Sequence, residues 1–260
     1  MLKSILVIIF FIVIGVNYAY ADQIFTTVRS DANNTIFDGK WTFLQEWKST
    51  SEDKITFDDN TEMVIKTGHD YENLYILVDF LGDTSIGKFV DNGIVCIDSK
   101  MDQSNKPNKN DYCFVAIMGS SQSKTLQGGE ILAQTGYWKR IENHPKLITI
   151  GGISDKNDRY SHIPHATYEF KIPLEIVGKT DVYGFYVGSF DAKKGKEYSW
   201  PQNISTEKYP FIPSPSKWGQ LISPDKSIPE FSFPLFALLS ISFVIFLVRR
   251  NLLHKIQIHD

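Results

Sequence analysis

The amino-acid sequence predicts an all-β fold, a two-sheet antiparallel β-sandwich that lies between two hydrophobic termini. Short apolar runs rich in β-branched and aromatic residues recur between clusters of turn residues at fairly even spacing, as is typical of sandwiches and barrels. No helical periodicity is sustained outside the two termini. Both cysteines lie in two runs that flank a polar loop, which indicates a hairpin at the centre of the domain.

The N-terminus predicts export. Lys3 precedes an apolar run at residues 5–16, and Ala19-Tyr20-Ala21 places small residues at the two positions that a signal peptidase recognises. We therefore expect residues 1–21 to form a signal peptide. An uncleaved anchor is the alternative, but the run is shorter than the roughly 20 apolar residues that usually span a bilayer.

The strand candidates of the first half are short, with one exception. Residues 24–28, 54–57 and 63–66 are brief runs of strand-forming residues. Residues 74–78 form an uninterrupted apolar run that is bounded by turn residues on both sides. We expect this run to form a central strand that is buried on both faces.

The central hairpin is predicted at residues 91–117. If Cys96 faces Cys113, the same register places Asp98 opposite Asp111. Two cysteines one hairpin apart in an exported domain favour a disulfide, with two buried free thiols as the alternative. Because like charges directly opposed across two strands are destabilising, the mouth of the loop favours water or a cation between the two aspartates.

The second half begins less regularly. Long loops are expected between residues 128 and 152, where two glycine pairs occur. Residues 167–172 alternate between apolar and polar side chains, which predicts a half-exposed strand that ends at Pro173. Residues 182–190 and 218–222 are the last strand candidates.

The C-terminus predicts a membrane anchor. A proline-rich linker at residues 223–230 precedes an apolar segment, residues 231–248, which as a helix reaches about 27 Å and can span a bilayer. Residues 249–260 form a basic tail that begins with two arginines, and such tails stay in the cytoplasm. We therefore predict a single-pass protein with its N-terminus outside, whose domain at residues 22–222 lies at the extracellular face of the cell membrane.

Charge and motifs argue against several functions. The chain carries 27 basic and 30 acidic residues. Lys3 and the basic residues of the C-terminal tail lie outside the exported domain, which is therefore more acidic than the whole chain. Nucleic acid is thus not an expected partner. The sequence contains no nucleophile elbow, zinc-protease motif or phosphate loop. We therefore expect a binding protein rather than an enzyme. Asn33 and Asn203 begin glycosylation sequons, which suit an exported protein.

Five short motifs follow one another in the order found in DOMON-like domains. They are Ile36-Phe37-Asp38-Gly39-Lys40-Trp41 with Glu46-Trp47, then His69-Asp70-Tyr71-Glu72-Asn73-Leu74-Tyr75-Ile76, the acidic hairpin, Tyr168-Glu169-Phe170-Lys171-Ile172-Pro173 and Trp218-Gly219. The chain thereby resembles two branches of that group, the carbohydrate-binding module family 9 type and the haem-binding domain similar to the ethylbenzene dehydrogenase gamma subunit. The resemblance implies an immunoglobulin-like jelly-roll sandwich that holds a sugar or a haem in a pocket built from one sheet and its loops.

The C-terminus carries a resemblance of its own. Ile228-Pro229-Glu230-Phe231, followed by the apolar segment and the basic tail, is similar to the archaeal PEF-type sorting signal. This resemblance implies recognition by a membrane transpeptidase and replacement of the span by a lipid. A simple stop-transfer anchor is the alternative.

The candidate sugar site rests on aromatic residues in loop-like sequence. A sugar needs flat aromatic faces for the apolar side of its ring and polar groups around its hydroxyls. Tyr137, Trp138 and Arg140, together with Tyr198 and Trp200, offer both. We predict that these residues bind a carbohydrate, such as a cell-surface glycan.

The candidate metal site is the hairpin loop. Asp98, Asp102, Asn105, Asn108 and Asp111 supply hard oxygen ligands, which suit calcium, although their spacing differs from that of an EF-hand. A solvated loop without an ion is the alternative.

Two further functions follow from the resemblance and the fold. A haem-binding electron-transfer subunit, as in the gamma-subunit branch, takes axial Met and Lys ligands, and Met63, Met101 and Met118 are the methionines to consider. A structural or adhesive cell-surface protein that has lost any small ligand would bury every loop aromatic as a core residue.

Overall fold

The computed structural model describes residues 24–30, 34–43, 45–129, 137–204 and 211–224. The predicted signal peptide, membrane span and basic tail lie outside these ranges, as does most of the linker. Within the described ranges, no helix is long and apolar enough to cross a membrane.

Nearly all of the secondary structure in these ranges is β. In chain order the elements are β1 (Ile24–Thr26), β2 (Val28–Arg29), β3 (Ser51–Thr56), β4 (Glu62–His69), β5 (Asn73–Phe80), β6 (Asn92–Asp98), β7 (Asp111–Ile117), β8 (Lys124–Gln127), β9 (Lys139–Ile141), β10 (Ile148–Ile153), β11 (Ala166–Pro173), the short helix α1 (Leu174–Val177), β12 (Val182–Asp191), β13 (Lys196–Trp200), a 3-10 turn (Pro215–Lys217) and β14 (Gly219–Ile222).

The strands form two sheets with the hydrophobic core between them. The larger sheet has the order β1-β14-β12-β6-β7-β8-β9, with β13 also paired to β12. The smaller sheet has the order β10-β11-β5-β4-β2, with β3 also paired to β4. Val95 and Phe185 of the larger sheet and Ile76 and Phe170 of the smaller sheet belong to one buried cluster. The all-β sandwich predicted from sequence is therefore confirmed.

The sheets are mixed rather than purely antiparallel, which corrects one part of the prediction. β1 runs parallel to β14, and β2 runs parallel to β4. The segment from Ile24 to Arg29 thus contributes an outer strand to each sheet in turn. Because no tight turn joins either strand to its neighbour, chain connectivity does not require an antiparallel pairing there.

The strand predicted at residues 74–78 is confirmed as the interior of β5, which is buried at every position. The next strand differs from its prediction. β11 carries the alternation expected of a half-exposed strand, but both of its faces are covered and Glu169 is fully buried. Trp41 and Trp47 form a cluster with Tyr75 on this outer face, so the loop before β3 supplies the cover.

In its described part, the region predicted as long loops contains two strands, β9 and most of β10, and β8 ends directly before it. The glycine pair in β10 permits a close approach of another segment rather than a turn. A Cβ atom on Gly152 would lie 2.4 Å from the backbone oxygen of Gly39, which itself has a φ of 84°. Because these glycines carry no side chain, the loop before β3 can pack directly against the sheet.

Candidate functional site

The β6–β7 hairpin is the scaffold of the candidate site. The two strands pair in the predicted register, with Cys96 opposite Cys113 and Asp98 opposite Asp111. The cysteines form a disulfide with an S–S distance of 2.02 Å. Both lie on the outer face of the larger sheet, because the alternate residues, such as Val95, belong to the core between the sheets. The predicted hairpin and its crosslink are confirmed.

An aromatic cluster covers the crosslink. Trp138 stacks on Trp218 with 6.2 Å between ring centroids, and Trp218 stacks on Tyr186 with 6.3 Å. The three rings pack in one buried cluster with Cys96 and Cys113. Trp138 is only 3% exposed, so its ring covers the hairpin instead of forming an open platform.

Tyr198 and Trp200 lie in the core, which corrects their predicted position in a loop. Both belong to β13 and are 1% and 7% exposed. Trp200 stacks on Phe25 at 3.8 Å between centroids, and the Tyr198 hydroxyl donates to Asp59 Oδ2 at 2.8 Å. Pairing with β12 makes this segment a strand, and its alternation turns both rings inward.

The remaining two predicted sugar ligands lie elsewhere. Tyr137 is half-buried, with Lys106 Nζ 5.5 Å from its ring centroid, and Arg140 is exposed on β9. Of the five predicted residues, three therefore lie in two buried clusters, Arg140 lies on a strand at the sheet edge, and half-buried Tyr137 lies before that strand. They do not form a common platform among the described residues.

An open groove lies on the outer face of the larger sheet. It has a volume of about 260 Å³. Ile94, Val115 and Leu126, from three neighbouring strands, supply an apolar surface that continues from the aromatic cluster. Asn92, Lys124 and Glu197 add polar groups to its lining. The groove thus combines an apolar surface with hydrogen-bonding groups.

Two exposed phenylalanines also line the groove, and the sequence analysis missed both. Phe89 is 70% exposed and Phe211 is 44% exposed. Their φ angles are 64° and 62°, a left-handed conformation that bulky residues rarely adopt and that costs about 1–2 kcal/mol. The fold thus holds two large apolar rings in solvent at a cost in stability. A large apolar residue within turn-like sequence was the available signal.

The chain fixes both phenylalanine segments. The backbone N–H of Phe89 donates to the carbonyl of Met118 at 2.9 Å. In the segment that begins at Phe211, the Ser214 hydroxyl donates to the carbonyl of Asn105 at 2.7 Å. The hairpin loop therefore anchors the segment that carries the second ring.

One carboxylate at the groove is held by a buried tyrosine. The Tyr186 hydroxyl donates a short hydrogen bond to Glu197 Oε1. Burial, followed by the charge of Glu197, raises the pKa of Tyr186 well above its usual value, so the hydroxyl keeps its proton and remains a donor. Glu197 is thereby oriented in the groove lining.

The hairpin mouth holds three convergent aspartates. Carboxylate oxygens of Asp98, Asp102 and Asp111 lie within 4.8 Å of one another. Asp98 and Asp111 are fully buried. Asp111 Oδ2 accepts the backbone N–H of Asn108 at 2.6 Å, whereas its Oδ1 has no hydrogen-bond partner among the residues described. A buried, unpartnered carboxylate oxygen is costly, and a cation bound there would satisfy it.

The two predicted asparagine ligands shape this loop. Asn108 Nδ2 donates to both carboxylate oxygens of Asp102, at 3.3 and 3.1 Å. Asn105 contacts the rest of the domain through its main-chain carbonyl. Burial raises the pKa of Asp111 to about 7, and the charges of Asp98 and Asp102 raise it as well. The three aspartates, rather than all five predicted residues, converge.

Another acidic group, Asp79, Asp158 and His165, lies in the smaller sheet and its loops. His165 Nδ1 lies 2.7 Å from the carbonyl of Ile163, and its Nε2 lies 2.5 Å from Asp79 Oδ1. Both ring nitrogens therefore donate, so the ring is an imidazolium that supplies a positive charge inside the group.

The three methionines considered for haem lie in the core (Met63, Met118) and in the hairpin loop (Met101).

Comparison with known proteins places the fold. No protein-family model matches the chain, and no curated protein matches it. Among solved structures, a carbohydrate-binding module of family 9 from Caldicellulosiruptor kristjanssonii in complex with glucose superposes with a TM-score of 0.51 at 12% identity, covering 80% of this chain and 99% of that module. The fold is a CBM9-like β-sandwich. The same kind of module in complex with cellotriose has a TM-score of 0.49 at 12% identity, over 79% and 98% of the two chains.

Proposed function

We propose that the protein is a non-catalytic binding module that holds a carbohydrate in the groove on the outer face of its larger sheet. The CBM9-like fold supports a module of this kind, since the solved neighbours carry glucose and cellotriose. The site differs from the one expected from sequence, because the groove residues replace the buried tryptophans.

The pair of exposed phenylalanines carries this proposal. Phe89 and Phe211 are held in left-handed backbone conformations and line the same groove. Strained conformations persist where the surrounding structure enforces them, and they concentrate at binding sites. Two aromatic faces beside Glu197, Asn92 and Lys124 match the two sides of a sugar ring, one apolar and one rich in hydroxyls.

Loss of either ring should weaken sugar binding. We expect Phe89→Ala and Phe211→Ala each to lower affinity about tenfold, because an aromatic contact contributes about 0.5–1.5 kcal/mol beyond the area that it buries. Calorimetric titration of the full-length chain in detergent with gluco-oligosaccharides, including glucose and cellotriose, measures this change.

Tyr71→Ala is the matched control, because Tyr71 is 66% exposed but lies in the turn between β4 and β5 of the smaller sheet. It should bind sugar like the unaltered chain. Equal affinity in both phenylalanine variants and the unaltered chain would rule out the groove as the site.

A structural or adhesive role is the second candidate. The burial of Trp138, which lies before β9, favours it, since such a protein is expected to bury its loop aromatics. The exposure of Phe89 and Phe211 favours a ligand instead. A glycan screen that finds no binding to the folded, unaltered chain would favour the structural role.

Calcium at the hairpin mouth and anchoring at the cell surface belong to the same proposal. The unpartnered Asp111 Oδ1 supports a calcium ion between Asp98, Asp102 and Asp111. Asp111→Asn should therefore bind one calcium ion fewer than the unaltered chain.

The apolar terminal segments support export and anchoring at the outer face of the membrane. Asn203 is exposed, as a glycosylation site must be.

A further inference from the structure

Three buried aspartates meet near one end of β6, two from the segment between β5 and β6 and one from the end of β12. Asp83 follows β5, Asp91 directly precedes β6, and Asp191 ends β12. One carboxylate oxygen from each lies within 4.8 Å of the others, and all three side chains are fully buried. This group is distinct from the hairpin mouth, because Asp98 lies at the opposite end of β6.

Two carboxylate oxygens in this group, Asp83 Oδ2 and Asp191 Oδ2, have no hydrogen-bond partner in the described part of the chain. The ring of Tyr168 packs against Gly93, two residues after Asp91, since a Cβ atom on that glycine would lie 2.5 Å from the ring. Burial raises the pKa of the Tyr168 hydroxyl, and the charges of Asp83, Asp91 and Asp191 raise it further. Buried, unpartnered oxygens of this kind are rare in folded proteins, and each requires an explanation.

The backbone already holds the other carboxylate oxygens. The N–H groups of Ser85 and Ala192 donate to Asp83 Oδ1 and Asp91 Oδ1, at 3.2 and 2.9 Å. The N–H of Lys194 donates to Asp191 Oδ1 at 3.0 Å. Each aspartate is thus oriented by the fold, and the orientation leaves Asp83 Oδ2 and Asp191 Oδ2 without a hydrogen bond from the described residues.

The charge of the group is not balanced by the cation beside it. Lys194 Nζ lies 3.5 Å from Asp191 Oδ2 and donates to the carbonyl of Gly82 at 3.2 Å. Three carboxylates against one ammonium leave two negative charges, which are costly to bury. The group of Asp79 and Asp158 differs, since the imidazolium of His165 lies inside it.

We propose that Asp83, Asp91 and Asp191 bind a calcium ion. A divalent cation balances the two excess charges, supplies the partner that Asp83 Oδ2 lacks among the described residues, and offers Asp191 Oδ2 a closer partner than Lys194 Nζ at 3.5 Å. Calcium binds carboxylate oxygens at about 2.3–2.6 Å, so ligand atoms within 4.8 Å of one another can share one ion, and hydroxyls or water can complete its shell. The ion would fix the turn at residues 87–91, which carries Phe89.

Calcium titration of the full-length chain in detergent tests this site. Asp83→Asn retains the oxygen that accepts the Ser85 N–H and replaces only the unpartnered one with an amide nitrogen. We expect calorimetry with calcium chloride to show one ion per chain fewer in Asp83→Asn than in the unaltered protein. The difference does not depend on sugar binding, so the two proposals fail separately.

Asp158→Asn is the matched control. Asp158 is also buried, accepts backbone N–H groups through Oδ1 and has an unpartnered Oδ2, but it belongs to the group that contains His165. It should bind as many calcium ions as the unaltered chain. An unchanged count in folded Asp83→Asn, or a lower count in Asp158→Asn, would overturn the proposal.

A second measurement decides the question if Asp83→Asn does not fold. Asp111→Asn changes only the hairpin mouth, so it should still bind one calcium ion, and complete loss of binding would contradict the proposal. Terbium placed in the remaining site of Asp111→Asn should emit when tyrosine is excited, because the Tyr168 ring packs against Gly93, two residues after Asp91. Adding Tyr168→Phe should reduce this emission, and unchanged emission would place the ion elsewhere.

Discussion

At the scale of single residues, buried carboxylates organise the loops of this domain. Glu169 on β11 is fully buried, and its oxygens accept the backbone N–H of Gly39 at 2.7 Å and the indole N–H of Trp47 at 3.1 Å. The loop before β3 is thereby held to the outer face of the smaller sheet. Glu169 was predicted to lie on a half-exposed strand. It is buried because this loop covers it, and the alternation of residues along one strand cannot reveal such a cover.

Glu169 should make stability depend on pH. Burial raises its pKa to about 8, assisted by the charges of Glu46 and Asp38 and opposed by the hydrogen bonds from Gly39 and Trp47. Between the usual value near 4.5 and about 8, the folded state holds a proton that the unfolded state has released. The free energy of unfolding therefore falls as pH rises through this range, by at most about 1.4 kcal/mol per pH unit.

Urea denaturation between pH 5 and 8, with calcium in excess, measures this dependence. In Glu169→Gln the fall should be smaller than in the unaltered chain. Glu72→Gln, at an exposed position, should leave it unchanged. Identical slopes for Glu169→Gln and the unaltered protein would contradict the assignment.

At the scale of elements, the β6–β7 hairpin joins the site together. Its disulfide lies beneath Trp138 and Trp218, and its loop anchors the segment that carries Phe211. At the other end of β6, the turn at residues 87–91 carries Phe89 and is tied to Asp91. The hairpin loop with Asp98, Asp102 and Asp111 thus supports the segment of Phe211, and the turn that ends at Asp91 supports Phe89.

The crosslink should contribute measurably to stability. It joins residues 17 positions apart, and closing a loop of this length stabilises the folded state by about 3 kcal/mol. Replacing both Cys96 and Cys113 with Ala should lower the free energy of unfolding by about that amount in denaturant titrations. Two alkylatable thiols in the oxidised, unaltered chain would show that the crosslink does not form.

At the scale of the whole molecule, the core joins both sheets through large aromatic residues. Phe25 of β1 stacks on Trp200 of β13, and Trp200 also contacts Phe185 of β12 with 5.9 Å between centroids. These rings pack with the inner face of the smaller sheet in one cluster. Trp200 is therefore a stability residue rather than a ligand contact.

Truncating Trp200 should destabilise the fold. We expect Trp200→Ala to lower the free energy of unfolding by about 3–5 kcal/mol, as is usual for a large aromatic residue removed from a core. Arg140→Ala, on the exposed strand β9, should change it by less than about 0.5 kcal/mol. Chemical denaturation compares the two, and a folded Trp200→Ala of unchanged stability that no longer binds sugar would restore Trp200 as a ligand residue.

The sequence by itself determined the fold class, the buried strand β5, and the register and crosslink of the β6–β7 hairpin. These features depend on local patterns, namely apolar periodicity, turn residues and the spacing of two cysteines. Only the tertiary structure decided which aromatic rings are buried, because Trp138 and Trp200 are covered by strands distant in sequence. It alone brought Asp191 beside Asp91, because about a hundred residues separate them along the chain and the pairing of β12 with β6 brings the ends of those two strands together.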